Sequence, residues 1–112
     1  MIPEVWGPYF WHTMHFVAEG YPENPTYKNK IEYTQFYKSI IKVLPCKSCS
    51  RNFKRHAKKY DIKNYLKSRK RLMKWVYLVH NEVNKELKKR TVYKWSNVWN
   101  KHKKIKIILN KK

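Results

Sequence analysis

Residues 72–87 read LMKWVYLVHNEVNKEL. Leu72, Trp75, Val76, Val79, Val83 and Leu87 return at steps of three and four, the spacing that lines one face of an α-helix. Neither Gly nor Pro interrupts the run. His80, Asn81 and Asn84 fall on one flank of that stripe. Singly, each is an ordinary boundary group; together they offer donors and acceptors that converge as a polar ligand needs. Lys85, Lys88, Lys89 and Arg90 follow at the helix C-terminus. They meet either solvent or a phosphate.

Working outward, the same periodicity recurs. Gly7-Pro8 marks a turn into a first helix, with Pro8 near its first position. Phe10, Met14, Val17, Ala18 and Tyr21 share one face of it, and Trp11 and His15, four apart, share a second. Gly20-Tyr21-Pro22 ends this helix. Thr26 or Pro25 opens the next, which runs to about Leu44 on a stripe of Tyr33, Phe36, Tyr37, Ile40, Ile41 and Leu44. A third helix follows Pro45, with Cys49, Phe53, Ala57 and Tyr60 on its inner face and His56 at the border; it stops near Asp61. Asn64 to Arg71 is a basic connection without a clear period. A short fifth helix is expected over Trp95–His102, before a basic tail at 103–112. The fold class predicted is all-α: a four-helix bundle with a short fifth helix, one domain over 1–112 with its core at about 6–102.

Pro45-Cys46-Lys47-Ser48-Cys49 holds both cysteines of the chain. Pro45 cannot continue a preceding helix, so Cys46 is expected in a new first turn with Cys49 one turn later. Free amides and the positive end of the dipole stabilise a thiolate there, and Lys47, Arg51 and Lys54 add positive charge. The pair by itself admits redox chemistry, half a zinc site completed by His56 and another His, or a static disulfide.

Composition narrows the classes. Apolar residues make up 42% of 112, enough for a small core, and Gly 2 with Pro 5 favours long helices over many short strands. Two cysteines are too few for a disulfide scaffold. No apolar run is long enough for a transmembrane helix, and the first residues do not read as a signal peptide. The net charge of +20 suits a polyanion or an acidic protein partner, but its Lys is spread along the chain as coding bias would spread it. A zinc-binding basic module that holds nucleic acid through Cys46, Cys49 and His56 remains the alternative function.

Four pieces carry a resemblance. They are Trp6-Gly7-x-x-x-Trp11-x-x-Met14-His15, then Tyr21-Pro22-Glu23-x-Pro25-Thr26, then Pro45-Cys46-x-x-Cys49, then Trp75 with His80-Asn81-x-Val83-Asn84-x-x-Leu87. In that order and spacing the chain resembles the Erv/ALR family of FAD-linked sulfhydryl oxidases, over about residues 6–90. It looks most like the short versions encoded by large DNA viruses. The resemblance implies FAD held within the bundle, a homodimer, protein thiols as substrate, and molecular oxygen as the final acceptor, giving peroxide. Host cytoplasm or the virion is the location it implies.

By the same resemblance, Cys49 is the sulfur next to the flavin and Cys46 exchanges with substrate. Trp6, Gly7, Trp11, His15 and Phe53 join Cys49 around the cofactor. His80, Asn81, Val83, Asn84 and Lys88 match the segment that wraps its adenosine and phosphates, and Trp95 matches a late aromatic. Pro8 stands where an Arg is frequent, and Met14 where Leu is. The extra cysteines of many relatives are absent. A substrate thiol must therefore reach Cys46 directly or through a relay thiol protein, which an acidic partner would suit. The dimer is expected through the first two helices, where Phe10, Phe16, Tyr33, Tyr37 and Ile40 exceed what so small a core needs.

Overall fold

A computed structural model describes residues 3–86. Within them the chain forms helices α1 (Pro3–Glu19), α2 (Tyr27–Lys42), α3 (Lys47–Lys59) and α4 (Arg69–Glu86), with a 3₁₀ turn at Ile62–Tyr65 before α4. The expected fifth helix, the basic tail, Lys88 and Trp95 lie outside the described residues.

Each start has a local cause. Thr26 caps α2 through a capping box: its hydroxyl accepts the Asn29 N–H (3.1 Å), and the Asn29 side chain accepts the Thr26 N–H (2.9 Å). Asp61 accepts the Lys63 N–H at 3.1 Å and so begins the 3₁₀ turn, which gives the unassigned basic connection its shape. The first helix departs from expectation. It starts at Pro3, and Gly7-Pro8 lies inside it. Pro3 suits a first helical position and Glu4 complements the dipole. Pro8 forfeits only the bond its N–H would make to the Glu4 carbonyl, a loss the helix absorbs.

The predicted stripes meet in one core. Met14, Ala18 and Tyr21 of the first stripe, Tyr37, Ile41 and Leu44 of the second, Phe53, and Leu72, Trp75, Val76 and Val79 of the fourth are buried together. α1 packs chiefly on α4; α3 also packs on α4, and α2 packs on α3. The polar tips inside this core are satisfied. Tyr37 donates to the Met14 carbonyl and Tyr21 to the Leu66 carbonyl, each at 2.7 Å, and the Trp75 indole donates to the Tyr60 carbonyl at 2.6 Å. Burial pushes the Tyr37 phenol far above its ordinary value. Tyr37 was expected to help form a dimer surface; it is 1% exposed and belongs to the core.

Candidate functional site

Cys46 is not in the first turn of α3 but immediately before it. It is the N-cap, with extended backbone (φ −160°, ψ 112°), and its Sγ accepts the Cys49 N–H at 3.2 Å. A sulfur thus occupies the place usually taken by a Ser, Thr, Asp or Asn oxygen. The two cysteines form a disulfide with their Cα atoms 5.2 Å apart. The Ser48 hydroxyl lies 3.3 Å from the Cys46 sulfur. Ser50 fixes this turn against the preceding helix by donating to the Ile41 carbonyl at 2.6 Å.

The two sulfurs face different surroundings. Cys49 lines an open, largely apolar cleft between α1, α3 and the end of α4, and Cys46 does not. Of the residues singled out from sequence, Trp6, Gly7, Trp11, Phe53 and Val83 line the same cleft. At Gly7 an added Cβ would meet no atom within 4 Å, so the α1 backbone itself is open to whatever fills the space. Trp11 anchors an aromatic stack, 4.0 Å from the His80 ring at 8° and 5.2 Å from the Phe53 ring at 16°. His15 Nε2 is 3.2 Å from His80 Nδ1. The fourth-helix polar set is divided: His80 joins this stack, while Asn81 and Asn84 are buried, at 7% and 3% exposed.

His56 was expected at the border of the α3 inner face and, in the alternative reading, as a zinc ligand. It is buried and pairs with Glu86. Glu86 also takes Arg55 at 2.6 Å, and Glu82, one turn earlier, takes the Lys59 ammonium (3.3 Å) and the Tyr60 hydroxyl (3.2 Å). Hydrogen bonds from Arg55 and His56 hold the Glu86 carboxyl below its ordinary range. At Glu82 burial acts to raise the pKa, but the bonds from Lys59 and Tyr60 prevail and it too is lowered. These links pin the cysteine helix to α4. Sequence reasoning missed Glu82 and Glu86. The available signal was two of only seven acidic residues, spaced four apart, opposite a basic helix. Among the described residues, no three His, Cys, Asp or Glu side chains are grouped to hold a metal ion.

The structure thus sets a disulfide at a helix start, with one sulfur turned to an aromatic cleft. A model of the Erv1 / Alr family matches residues 8–105. The chain belongs to that family. A probable FAD-linked sulfhydryl oxidase of Acanthamoeba polyphaga mimivirus is 46% identical over 85 residues, 75% of this chain and 59% of that protein. An FAD-linked sulfhydryl oxidase of African swine fever virus is 36% identical over 97 residues, 85% of this chain and 77% of that protein. The crystal structure of the FAD-binding domain of Erv1 from Saccharomyces cerevisiae superimposes with a TM-score of 0.84 at 30% identity, covering 93% of this chain and 96% of that one. The Erv1 / Alr chain described here thus spans about three-fifths of the mimivirus relative's length.

Proposed function

We propose that this Erv1 / Alr chain is an FAD-dependent sulfhydryl oxidase that forms disulfides in protein thiols and passes the electrons to oxygen, giving hydrogen peroxide. The observation that carries the reading is the asymmetry of the pair: Cys49 lines the aromatic cleft and Cys46 stands at the open helix start. The cleft suits a flat cofactor. It is apolar, aromatic on several sides and open at Gly7, and it touches one sulfur of a disulfide. Trp6, Trp11 and Phe53 would hold the ring system. His15, His80, Asn81, Val83 and Asn84 would hold the remainder, joined by Lys88 and Trp95. Bound there, FAD would supply a two-electron acceptor that oxygen can reoxidise.

The protein's own part is thiol exchange. A substrate thiolate attacks Cys46 Sγ, the S–S bond breaks, and Cys49 leaves as a thiolate. A second substrate thiolate then attacks the substrate sulfur of the mixed disulfide and releases Cys46. The substrate gains a disulfide and the pair is left reduced by two electrons. The departing Cys46 thiolate keeps the Cys49 N–H as donor, so the N-cap position favours its release.

The active unit proposed is a homodimer through α1 and α2. Val5, Tyr9 and Phe16 lie exposed along one side of α1, and Tyr27 and Ile31 are exposed on α2. Light scattering that returns a monomer mass at micromolar concentration would refute this. The viral relatives support action in the host cytoplasm or the virion. Among the described residues no helix is long and apolar enough to cross a membrane.

The test of the central reading is a visible spectrum of purified protein beside an oxygen-electrode trace with a dithiol. Bound flavin and oxygen uptake are expected. Cys46→Ser should abolish uptake and show a long-wavelength absorbance band from the free Cys49 thiolate; Cys49→Ser should abolish uptake without that band. A folded protein that cannot be loaded with FAD refutes the reading, and a band in Cys49→Ser alone reverses the two roles.

A further inference from the structure

α3 presents a second face that thiol exchange leaves unexplained. Lys47, Arg51, Lys54 and Lys58 are exposed and recur at steps of four, three and four, so they form one basic line along the helix. The line begins beside Cys46. Its far half borders a groove between α2 and α3 whose other wall carries Lys38 and Lys42 and whose floor is Tyr37, Ile41, Ala57 and Trp75. The sole carboxylate in that groove is Asp61, which already faces Lys63 at 3.6 Å. Coding bias would scatter lysines without regard to partners. Here the two faces of one helix differ. Arg55 and Lys59 are matched to Glu86 and Glu82, while among the described residues the line of Lys47, Arg51, Lys54 and Lys58 meets no carboxylate.

We propose that this line and groove are the docking surface for an acidic segment of the substrate polypeptide, which delivers a nearby cysteine to Cys46. The proposal rests on thiol exchange at Cys46. Charge complementarity fixes the sign of the partner, and the thiol chemistry at the head of the line fixes its class, since a nucleic acid brings no thiol. The groove also lacks a stacking platform for bases, because its aromatic residues, Tyr37 and Trp75, are 1% and 2% exposed. The geometry sets a register. The eleven steps from Lys47 to Lys58 rise about 16 Å along the helix, which an extended peptide covers in about five residues. The Asp and Glu residues should therefore lie within about five positions of the reactive cysteine.

The experiment separates docking from chemistry. A fluorescein-labelled acidic peptide with its cysteine replaced by Ser is titrated with the FAD-loaded protein and followed by anisotropy. It should bind, weaken steeply between 50 and 300 mM salt (on the scale of the Debye length), and outcompete neutral and basic peptides of equal length. Lys38→Glu with Lys58→Glu, one on each wall of the groove, should weaken binding at least about tenfold. Lys28→Glu with Lys74→Glu changes the net charge equally outside the groove and should cost less than about threefold. All four lysines are exposed, and circular dichroism confirms each variant's fold. In parallel, kcat/KM for the cysteine-bearing acidic peptide should fall with the groove pair while that for dithiothreitol stays unchanged. Equal loss from both pairs, equal affinity for all peptides, or a groove that binds a single-stranded oligonucleotide in preference to the acidic peptide overturns the proposal. Failure to oxidise dithiothreitol overturns instead the oxidase reading, and with it the delivery role.

Discussion

Replacing Cys46 separates two contributions that one residue makes. As half of the disulfide it closes a ring of four residues, which removes about 2 kcal/mol of unfolded-state freedom. As N-cap it also accepts the Cys49 N–H at 3.2 Å, and loss of a cap costs about 1 kcal/mol. Cys46→Ser and Cys46→Ala both lose the disulfide, but only Ser returns a cap acceptor of the preferred kind. The expected order is oxidised wild type, then Cys46→Ser about 2 kcal/mol lower, then Cys46→Ala about 3 kcal/mol lower. At roughly 4–8 °C per kcal/mol for a domain of this size, the two mutants should differ in Tm by about 4–8 °C. The assay is urea unfolding and thermal melting followed at 222 nm, with flavin content matched between samples. Both variants should be equally inactive, so the difference reports the cap and not the chemistry. If Cys46→Ala is as stable as Cys46→Ser, at the same m-value, the sulfur does not cap α3. The argument that this position eases thiolate release would fall with it.

Tyr37→Phe removes the hydroxyl that donates to the Met14 carbonyl in the core and should cost about 1 kcal/mol with no change in oxidase activity; an unchanged melting temperature would contradict that. Glu82 and Glu86 have folded pKa values below the ordinary 4.5, so the unfolded chain binds more protons as pH falls. Their contribution is complete well above 4.5 and is lost as pH drops through the lower folded values. Melting between pH 7 and pH 3 should show Glu82→Gln with Glu86→Gln flattening the acid limb by roughly 1 kcal/mol, and an unaltered limb would refute the pairing. Trp11→Ala loses two aromatic stacks, at about 0.5–1.5 kcal/mol each, and should weaken FAD binding about tenfold or more by fluorescence titration; retention of wild-type affinity would remove Trp11 from the cofactor site.

The helices were legible because their stripes are long and regular. Leu72 to Val83 repeats its apolar positions often enough that only a helix fits, and among the described residues the four predicted stripes meet in the core, with Val83 on the cleft. Boundaries were less legible, for reasons that lie in particular residues. Gly7-Pro8 carries the sign of a helix start, yet Pro3 offers an earlier start at the loss of a single hydrogen bond. Cys46 is not a residue type that local rules place at an N-cap, so its capping role is visible only in the three-dimensional contact. Tyr37 looked surplus because an apolar count cannot tell which of several aromatics will find a buried carbonyl for its hydroxyl. The cleft residues were legible as a set only through the spacing of four motifs. The Glu82 and Glu86 links were not, because they join residues 22 to 31 positions apart across two helices.

The thirteen residues of α3 divide their work by angle. Cys49 and Phe53 turn toward the cleft, His56 and Lys59 toward the carboxylates of α4, and Lys47, Arg51, Lys54 and Lys58 toward solvent. Because 3.6 residues complete a turn, neighbours in sequence serve different faces, and a change on one face leaves the others in register. That is why charge reversal at Lys58, with Lys38 across the groove, can be read as a binding experiment. Truncation of Phe53, 5% exposed and stacked 5.2 Å from Trp11, cannot be read so simply. It would open the core at about 3–5 kcal/mol and disturb the cleft in the same step. A variant at Phe53 that lost flavin would therefore say nothing about contact with the ring unless its fold were first restored, and Trp11→Ala, which removes the same stack, bears on that contact only where circular dichroism shows the fold intact.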